Sequence, residues 1–190
     1  MILYLNFLQI PMIEYEKAGM YIELFLKPSV VALAIPLYTQ WGKIKKQIIP
    51  ILFSQVIGCL VGIVSVVFIA KLLGAEKEIV ISLIPKSVST PIALEVSKSL
   101  QGIPSITAFS VMITGIFGGM IGFKFLSLSR ITNPISKGIA LGTSSHAFGT
   151  MKALDLSEKY GAFASVGMIV NGILTAVLAP LMIKLILPYL

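Results

Sequence analysis

Two short polar stretches interrupt the long apolar runs of this chain, and their residue types suit the binding of a small anion. The first is residues 85–91, PKSVSTP, and the second is residues 142–150, GTSSHAFGT. Each is followed by a related pentapeptide, ALEVS at residues 93–97 and ALDLS at residues 153–157. Irregular backbone at membrane depth persists only where it lines a protein cavity, so matched interruptions in two halves of a chain are typical of a transporter's substrate site.

Helix N-termini inside the interruptions would supply the anion-binding groups. Thr90 precedes Pro91, which predicts a helix start, since a hydroxyl can cap a free N–H and proline has no N–H to leave unpaired. Residues 143–145 offer similar hydroxyls ahead of a predicted turn at His146. Free N–H groups and the helix dipole favour an anion, so a small carboxylate is the expected ligand. The predicted binding residues are Ser87, Ser89, Thr90, Pro91, Thr143, Ser144, Ser145, His146, Gly149, Thr150 and Asn171.

Each candidate also has a purely structural interpretation. Ser and Thr in membrane helices often hydrogen-bond to their own helix or tie helices together. His146 is the only histidine, and it is either a ligand or proton carrier or a structural residue with a satisfied ring. Glu95 and Asp155 occupy equivalent positions in the two pentapeptides, near Lys98 and Lys159 respectively. For these two carboxylates we favour structural ion pairing with the lysines over a role in a proton relay.

The sequence shows none of the patterns expected of an enzyme or a metalloprotein. It has no nucleotide-binding glycine loop and no cluster of metal ligands. Ser145 and His146 are not a nucleophile and base pair, because neighbours on a helix point about 100° apart. A single cysteine, Cys59, cannot form an intrachain disulfide. We therefore predict no enzymatic activity, no cofactor and no bound metal.

The composition predicts a membrane protein. Hydrophobic residues make up 56% of the chain and charged residues 12%, whereas about a quarter of a soluble domain is charged. The formal net charge is +7, but the basic residues lie in short connections between apolar runs. That placement follows the positive-inside rule of membrane proteins and argues against nucleic-acid binding.

Uncharged runs define the predicted spans. Residues 47–70, 99–123 and 160–183 contain no charged side chain, and each exceeds the roughly 20 residues needed to cross a bilayer. Residues 22–38 are a further candidate span. Its prolines would bend it or hold part of it at the membrane interface. Residues 1–12 are too short to span, and we expect them to be the end of a membrane helix rather than a signal peptide.

Basic clusters predict the orientation. The lysines within residues 43–46 and the basic residues within 124–137 are expected in the cytoplasm, and the acidic turn at residues 75–78 outside. Only one full crossing then fits between the two clusters, so residues 80–98 and 138–159 are predicted to be re-entrant from opposite sides. The alternative is that both polar segments cross fully, which would place Arg130 and Lys137 outside.

The predicted fold is an all-α polytopic membrane protein with inverted repeats, each a broken, re-entrant element followed by a long transmembrane helix. The repeats cover about residues 80–128 and 138–188 of a single membrane domain, residues 1–190, in which residues 1–21 are a partial N-terminal segment. Overlapping glycine pairs within residues 115–122, and Gly58 with Gly62, predict close helix packing. Asn171 aligns with Thr114 of the first repeat, and both are expected to face the site.

Several ordered motifs carry a resemblance to a known family: PSVVALAIPL at residues 28–37, SVSTPIA at 87–93, TGIFGG at 114–119, RITNPISKG at 130–138 and GTSSHAFGT at 142–150. Together they resemble the LrgB/CidB family of bacterial inner-membrane proteins over about residues 20–190.

The resemblance implies two functions. Members are known as antiholin-like or holin-like proteins linked to murein hydrolase export and lysis. Relatives in plastids look like glycolate/glycerate carriers, and bacterial relatives, working with a small LrgA/CidA-type membrane partner, are implicated in pyruvate movement. The leading expectation is a multi-pass, homo-oligomeric carrier of small monocarboxylates in the bacterial inner membrane, and the alternative is an antiholin/holin-like regulator.

Overall fold

The regular secondary structure is entirely α-helical in the part of the protein that the structure, a computed structural model, describes: residues 34–186 together with Tyr21, Leu24 and Pro28. The predicted segment 1–12 and most of the candidate span 22–38 lie outside the described residues. The helices are α1 (Ala34–Thr39), α2 (Trp41–Lys46), α3 (Ile48–Leu72), α4 (Lys77–Leu83), α5 (Thr90–Ser99), α6 (Pro104–Leu128), α7 (Pro134–Leu156) and α8 (Glu158–Ile186).

Three helices, α3, α6 and α8, are long and apolar enough to cross a membrane, which confirms the three predicted spans. The 25 residues of α3 and of α6 would each extend about 37 Å, more than the roughly 30 Å of a hydrocarbon core. The start of α6 is later than predicted because residues 100–103 form a non-helical connection between α5 and α6. Gln101 has a positive φ of 61° there, and Pro104 occupies the first turn of the helix.

The α4 and α5 helices form a hairpin. The Thr107 hydroxyl, near the start of α6, lies 2.9 Å from the carbonyl oxygen of Ser82 on α4 and 2.7 Å from the hydroxyl of Ser97 on α5. The Ile103 N–H donates to the Ser82 hydroxyl at 2.7 Å. Because 15 residues of straight helix would separate Ser82 from Ser97 by about 22 Å, the chain must reverse between them.

The α7 helix folds back at His146, whose φ of 41° and ψ of −128° are not helical. Leu141 and Ala153 share one buried cluster with Ala164, although a straight helix would hold them about 18 Å apart. Gly149 lies so close to the first arm that a Cβ there would collide with the carbonyl oxygen of Leu141. A single residue therefore reverses the chain, and glycine permits the close approach of the arms.

The contacts fix the relative directions of the long helices. Along α6, Gly115 faces His146 and Gly122 faces Leu141, so α6 runs antiparallel to the first arm of α7. That arm runs parallel to α8, because Gly138 packs on Phe163 while Thr143 accepts from Asn171. The α3 helix is also parallel to α8, because residues later in α3 contact residues later in α8. Ile51 clusters with Phe163, and Cys59 contacts Thr175. The α6 helix is thus antiparallel to both α3 and α8.

The predicted close packing of glycines is confirmed on α6. A Cβ at Gly118 would collide with the Ser145 side chain, and one at Gly122 would lie 2.9 Å from Leu141 Cδ2. The same prediction is wrong for Gly62 on α3, where a Cβ would meet nothing within 4 Å. Gly62 instead borders a cavity.

Candidate functional site

A cavity of about 970 Å³ lies among α3, α6, α8, the first arm of α7 and the first break, by which we mean residues 84–89 between α4 and α5. Gln47, Pro50 and Ser136 line it near the starts of α3 and α7, whereas Ile63 and Ile84 line its far end. Its polar lining residues are Gln47, Ser54, Gln55, Lys86, Ser87, Thr114, Ser136, Thr143, Ser144, Ser145, Asn171 and Thr175.

Asn171 ties both interruptions together at this cavity. Its Nδ2 donates to the carbonyl oxygen of Ser87 in the first break at 3.2 Å and to that of Thr143 on α7 at 3.0 Å. Both carbonyls belong to irregular or terminal backbone that the membrane interior would otherwise leave without a partner. The other amide atom, Oδ1, is buried and has no partner among the described residues.

Gln55 brings α3 into the same polar cluster. Its Nε2 donates to Thr143 Oγ1 at 2.5 Å, and the Thr143 hydroxyl donates in turn to the carbonyl oxygen of Ile139 at 2.7 Å. Since the single proton of the hydroxyl is already used, the Gln55 atom facing it must be the nitrogen. Gln55 Oε1 therefore remains buried without a donor in the described part of the chain.

Lys86 is the cationic residue of the cavity lining. Its Nζ lies 3.2 Å from the Ser87 hydroxyl, and the side chain is half-buried. The one ion pair found within residues 34–186 joins Lys98 to Glu95, so no carboxylate there neutralises Lys86. An ammonium group without a counter-ion at membrane depth is costly, and an anionic ligand would compensate it.

The structure brings five of the predicted binding residues to the cavity and leaves six away from its lining. Those at the cavity are Ser87, Thr143, Ser144, Ser145 and Asn171, and Thr114 joins them as expected. Ser89, Thr90, Pro91, His146, Gly149 and Thr150 do not line it. Whether any of these residues contacts a ligand stays a prediction.

The predicted helix start after the first break is confirmed, although its cap differs from the expectation. The α5 helix begins at Thr90 with Pro91 in its first turn, and Ser89 is the N-cap residue. No side-chain hydroxyl makes a cap hydrogen bond there, and Thr90 and Pro91 are exposed. Positive charge at the cavity comes from Lys86, which our sequence analysis missed although it lies inside the first polar stretch.

His146 has a structural role in this conformation. Its buried Nε2 lies 3.0 Å from the carbonyl oxygen of Val111 on α6, and its ring meets that of Phe148 edge to face at a centroid distance of 6.0 Å. The Thr150 hydroxyl donates to the His146 carbonyl oxygen at 2.9 Å. The contact with Val111 fastens the tip of the α7 hairpin against α6, and the other two hold the hairpin itself together.

The acidic residues of the matched pentapeptides lie away from the cavity. Glu95 pairs with Lys98 at 2.9 Å on the surface, which confirms the structural interpretation for that residue. Asp155 is exposed, and the expected pairing with Lys159 is absent between these two described residues. Within the described ranges, no three His, Cys, Asp or Glu side chains come together as a metal site requires.

Basic residues concentrate at one end of the molecule. The start of α3, the end of α6 and the starts of α7 and α8 share this end, and it carries Lys43, Lys45, Lys46, Lys124, Arg130, Lys137, Lys152 and Lys159. The opposite end, with the α3–α4 turn and the ends of α5 and α8, carries Glu76, Glu78 and Glu95 beside Lys71, Lys77, Lys98 and Lys184.

Residues 1–185 match the model of the LrgB-like family. The chain is 40% identical over 171 residues to the "Uncharacterized protein YxaC" of Bacillus subtilis strain 168, an alignment that covers 90% of this chain and 74% of the relative. It is 38% identical to the "Antiholin-like protein LrgB" of Bacillus mycoides strain KBAB4 and of Bacillus cereus strain B4264, over 91% of this chain and 75% of each relative. No solved structure matches the chain.

Proposed function

This chain is a membrane protein that belongs to the LrgB-like family, and we propose that it carries small monocarboxylates, of the size of pyruvate or glycolate, across the bacterial inner membrane. The observation that carries the proposal is the position of Asn171, which ties both polar interruptions to one cavity beside Lys86. A protein that acted only as a scaffold would not need an unpaired ammonium group and irregular backbone at membrane depth.

The helix directions support a multi-pass arrangement with inverted repeats and two re-entrant hairpins. With α6 antiparallel to α3 and α8, the three spans alternate in direction. If both polar segments crossed fully, α6 would instead run parallel to the other two. Each hairpin is followed by a long helix, and the first arm of each hairpin runs parallel to that helix. For the first hairpin, Ser82 contacts Thr107 and the later residue Val88 packs with the later residue Val111 on α6.

The cavity supports a carrier mechanism, because it extends toward the basic end, where Gln47 and Ser136 line it. Because the positive-inside rule assigns that end to the cytoplasm, a carboxylate would enter from the cytoplasmic side. The ammonium group of Lys86 would attract it, and the hydroxyls of Ser87 and Ser144 would orient it. At the far end Ile63 and Ile84 belong to a buried apolar cluster with Val80 and Ala179, which closes the path. Transport then requires this cluster to open while the basic end closes.

A second candidate function is an antiholin/holin-like regulation of murein hydrolase activity and lysis. The observation that favours it is the printed name of the relatives from Bacillus mycoides and Bacillus cereus, "Antiholin-like protein LrgB". Such a role would act through self-association and a small LrgA/CidA-type membrane partner, which we also propose as a partner of the carrier.

Uptake of labelled pyruvate and glycolate into vesicles, with and without an LrgA/CidA-type partner, tests the proposal. We expect saturable uptake by the wild-type chain and a loss of at least tenfold in Lys86→Gln. Lys77→Gln is the matched control, because Lys77 is an exposed lysine at the end of the molecule. No uptake under either condition, together with altered autolysis in a deletion strain, would replace the carrier with the regulatory function.

A further inference from the structure

The contacts of the two hairpins recur at an interval of 60 residues, which is the separation of the two related pentapeptides. We call residues at this separation counterparts, and we compare the first unit, the α4–α5 hairpin with α6, with the second, the α7 hairpin with α8. In the first unit Ser82 accepts from the N–H of Ile103. In the second unit Gly142, the counterpart of Ser82, packs directly on the backbone of Ala164, one residue past the counterpart of Ile103.

The tip of each hairpin also meets the long helix of the other unit. At the first tip, the carbonyl oxygen of Ser87 accepts from Asn171 on α8 at 3.2 Å. At the second tip, His146 Nε2 lies 3.0 Å from the carbonyl oxygen of Val111 on α6, and Val111 is the counterpart of Asn171. Lys86, the neighbour of Ser87, is the counterpart of His146. Since α6 runs antiparallel to α8, the two units point in opposite directions.

Counterparts differ in their surroundings. Lys86 lines the cavity, whereas His146 is only 2% exposed and lies against α6. On the first arms, Ala140 lines the cavity, whereas its counterpart Val80 is buried with Ala179 in the apolar cluster at the far end. The cavity therefore lies beside the first arm of one unit and the tip of the other.

The backbone of His146 supports a role for its side chain beyond the reversal of the chain. Its φ of 41° and ψ of −128° suit glycine, which would reverse the chain without strain. The imidazole is not required to satisfy the carbonyl group of Val111, because that residue lies inside α6, where the helix supplies its own donor. Strained residues concentrate at functional sites.

We propose that the two hairpins exchange these surroundings during transport, so that His146 lines the cavity and binds the carboxylate in the conformation open to the outside. The inference rests on the proposed carrier function. In the exchanged conformation Val80 borders the opened path, and Lys86 withdraws against α8 near Asn171. Inverted units make such an exchange possible, because contacts of one unit have counterparts in the other. The imidazole N–H then donates to the carboxylate, as the ammonium group of Lys86 does on the cytoplasmic side.

Single cysteines in a Cys59→Ser background test the exchange in inside-out and right-side-out vesicles. We expect an impermeant thiol reagent to modify the Lys86→Cys variant from the cytoplasmic side and the His146→Cys variant from the outside. Each should react about tenfold faster than Ala153→Cys, since a thiol reacts only where it is exposed. Ala153 is the matched control because it and its counterpart Ala93 are both 0% exposed.

The wild type provides a second measurement that does not depend on the folding of the cysteine variants. His146 is the only histidine of the chain, and diethyl pyrocarbonate modifies accessible imidazole groups. Mass spectrometry of the digested protein locates the adduct. We expect His146 to be modified in the folded protein, although it is buried in this conformation, and we expect pyruvate to slow the modification.

The outcomes separate this inference from the proposed function. Saturable pyruvate uptake by a wild-type protein whose His146 stays unmodified would overturn the exchange and keep the carrier. Reaction of a folded His146→Cys variant from the cytoplasmic side alone would also overturn the exchange. Modification of His146 that pyruvate does not slow, together with an absence of uptake, would overturn the carboxylate site in both conformations.

Discussion

Gly118 on α6 lies directly against Ser145 at the tip of the α7 hairpin, so closely that a Cβ on the glycine would collide with the serine hydroxyl. Gly115, one turn earlier, is packed in the same way against His146 and Phe148. The glycines of α6 therefore form the surface on which the α7 hairpin rests, and they hold Ser145 at the edge of the cavity.

Gly118→Ala should destabilise the protein, because the added methyl group has no space beside Ser145. Overpacking of this kind costs about 1–3 kcal/mol, and the backbones of α6 and α7 must separate to relieve it. Thermal unfolding of the detergent-solubilised protein measures the effect. Gly62→Ala is the matched control on α3, since a Cβ there meets nothing within 4 Å. Equal unfolding temperatures for the two variants would contradict the close packing of α6 on α7.

The long helices were predictable because hydropathy over about 20 residues depends on little besides composition. The hairpins were predictable in part. The polar interruptions and the basic clusters indicated where the chain reverses, but the reversal at His146 depends on packing against Gly115 and Val111, which lie about 30 residues away in sequence.

The cavity residues were predictable from the sequence only where a polar residue lies within a polar interruption or alone within an apolar span. Asn171 was found because an amide in an apolar span needs a partner, and the same argument applied to Gln55 would have identified it on α3. Lys86 was overlooked because helix N-termini offered a sufficient explanation for anion binding. That the side chains of Thr90 and His146 lie away from the cavity follows from tertiary packing, which no local pattern encodes.

Asn171→Leu should destabilise the protein strongly, because one side-chain amide serves two backbone carbonyl groups. The substitution leaves the carbonyl oxygens of Ser87 and Thr143 without the donor they share, and each buried unpaired group costs about 1–3 kcal/mol. Thermal unfolding measures the loss. Thr175→Val, one turn further along α8 and also at the cavity, removes a hydroxyl whose described contact is with the Cys59 thiol, and it should cost less. A smaller effect for Asn171→Leu than for Thr175→Val would argue against the bridge between the two interruptions.

Cysteine accessibility should reveal the orientation of the three spans. In a Cys59→Ser background, a cysteine at Lys43 or Arg130 should be shielded from an impermeant thiol reagent added outside the cell, whereas one at Glu76 should react. All three positions are exposed, so differences in labelling report the side of the membrane rather than burial. Outside labelling at Arg130 with shielding at Lys43 would favour polar segments that cross fully, because α6 would then end outside.

Substitutions at His146 should separate its backbone role from that of its ring. The φ of 41° and ψ of −128° suit glycine and are strained for residues with a Cβ, most of all for β-branched ones. His146→Gly should therefore keep the hairpin and relieve the backbone strain, while it loses the contact with the carbonyl oxygen of Val111. His146→Val should lose the same contact and also increase the backbone strain. We expect the valine variant to unfold at a lower temperature than the glycine variant. Vesicle uptake by the folded glycine variant then tests the ring: retained uptake supports the structural role, and abolished uptake would make His146 a participant in transport.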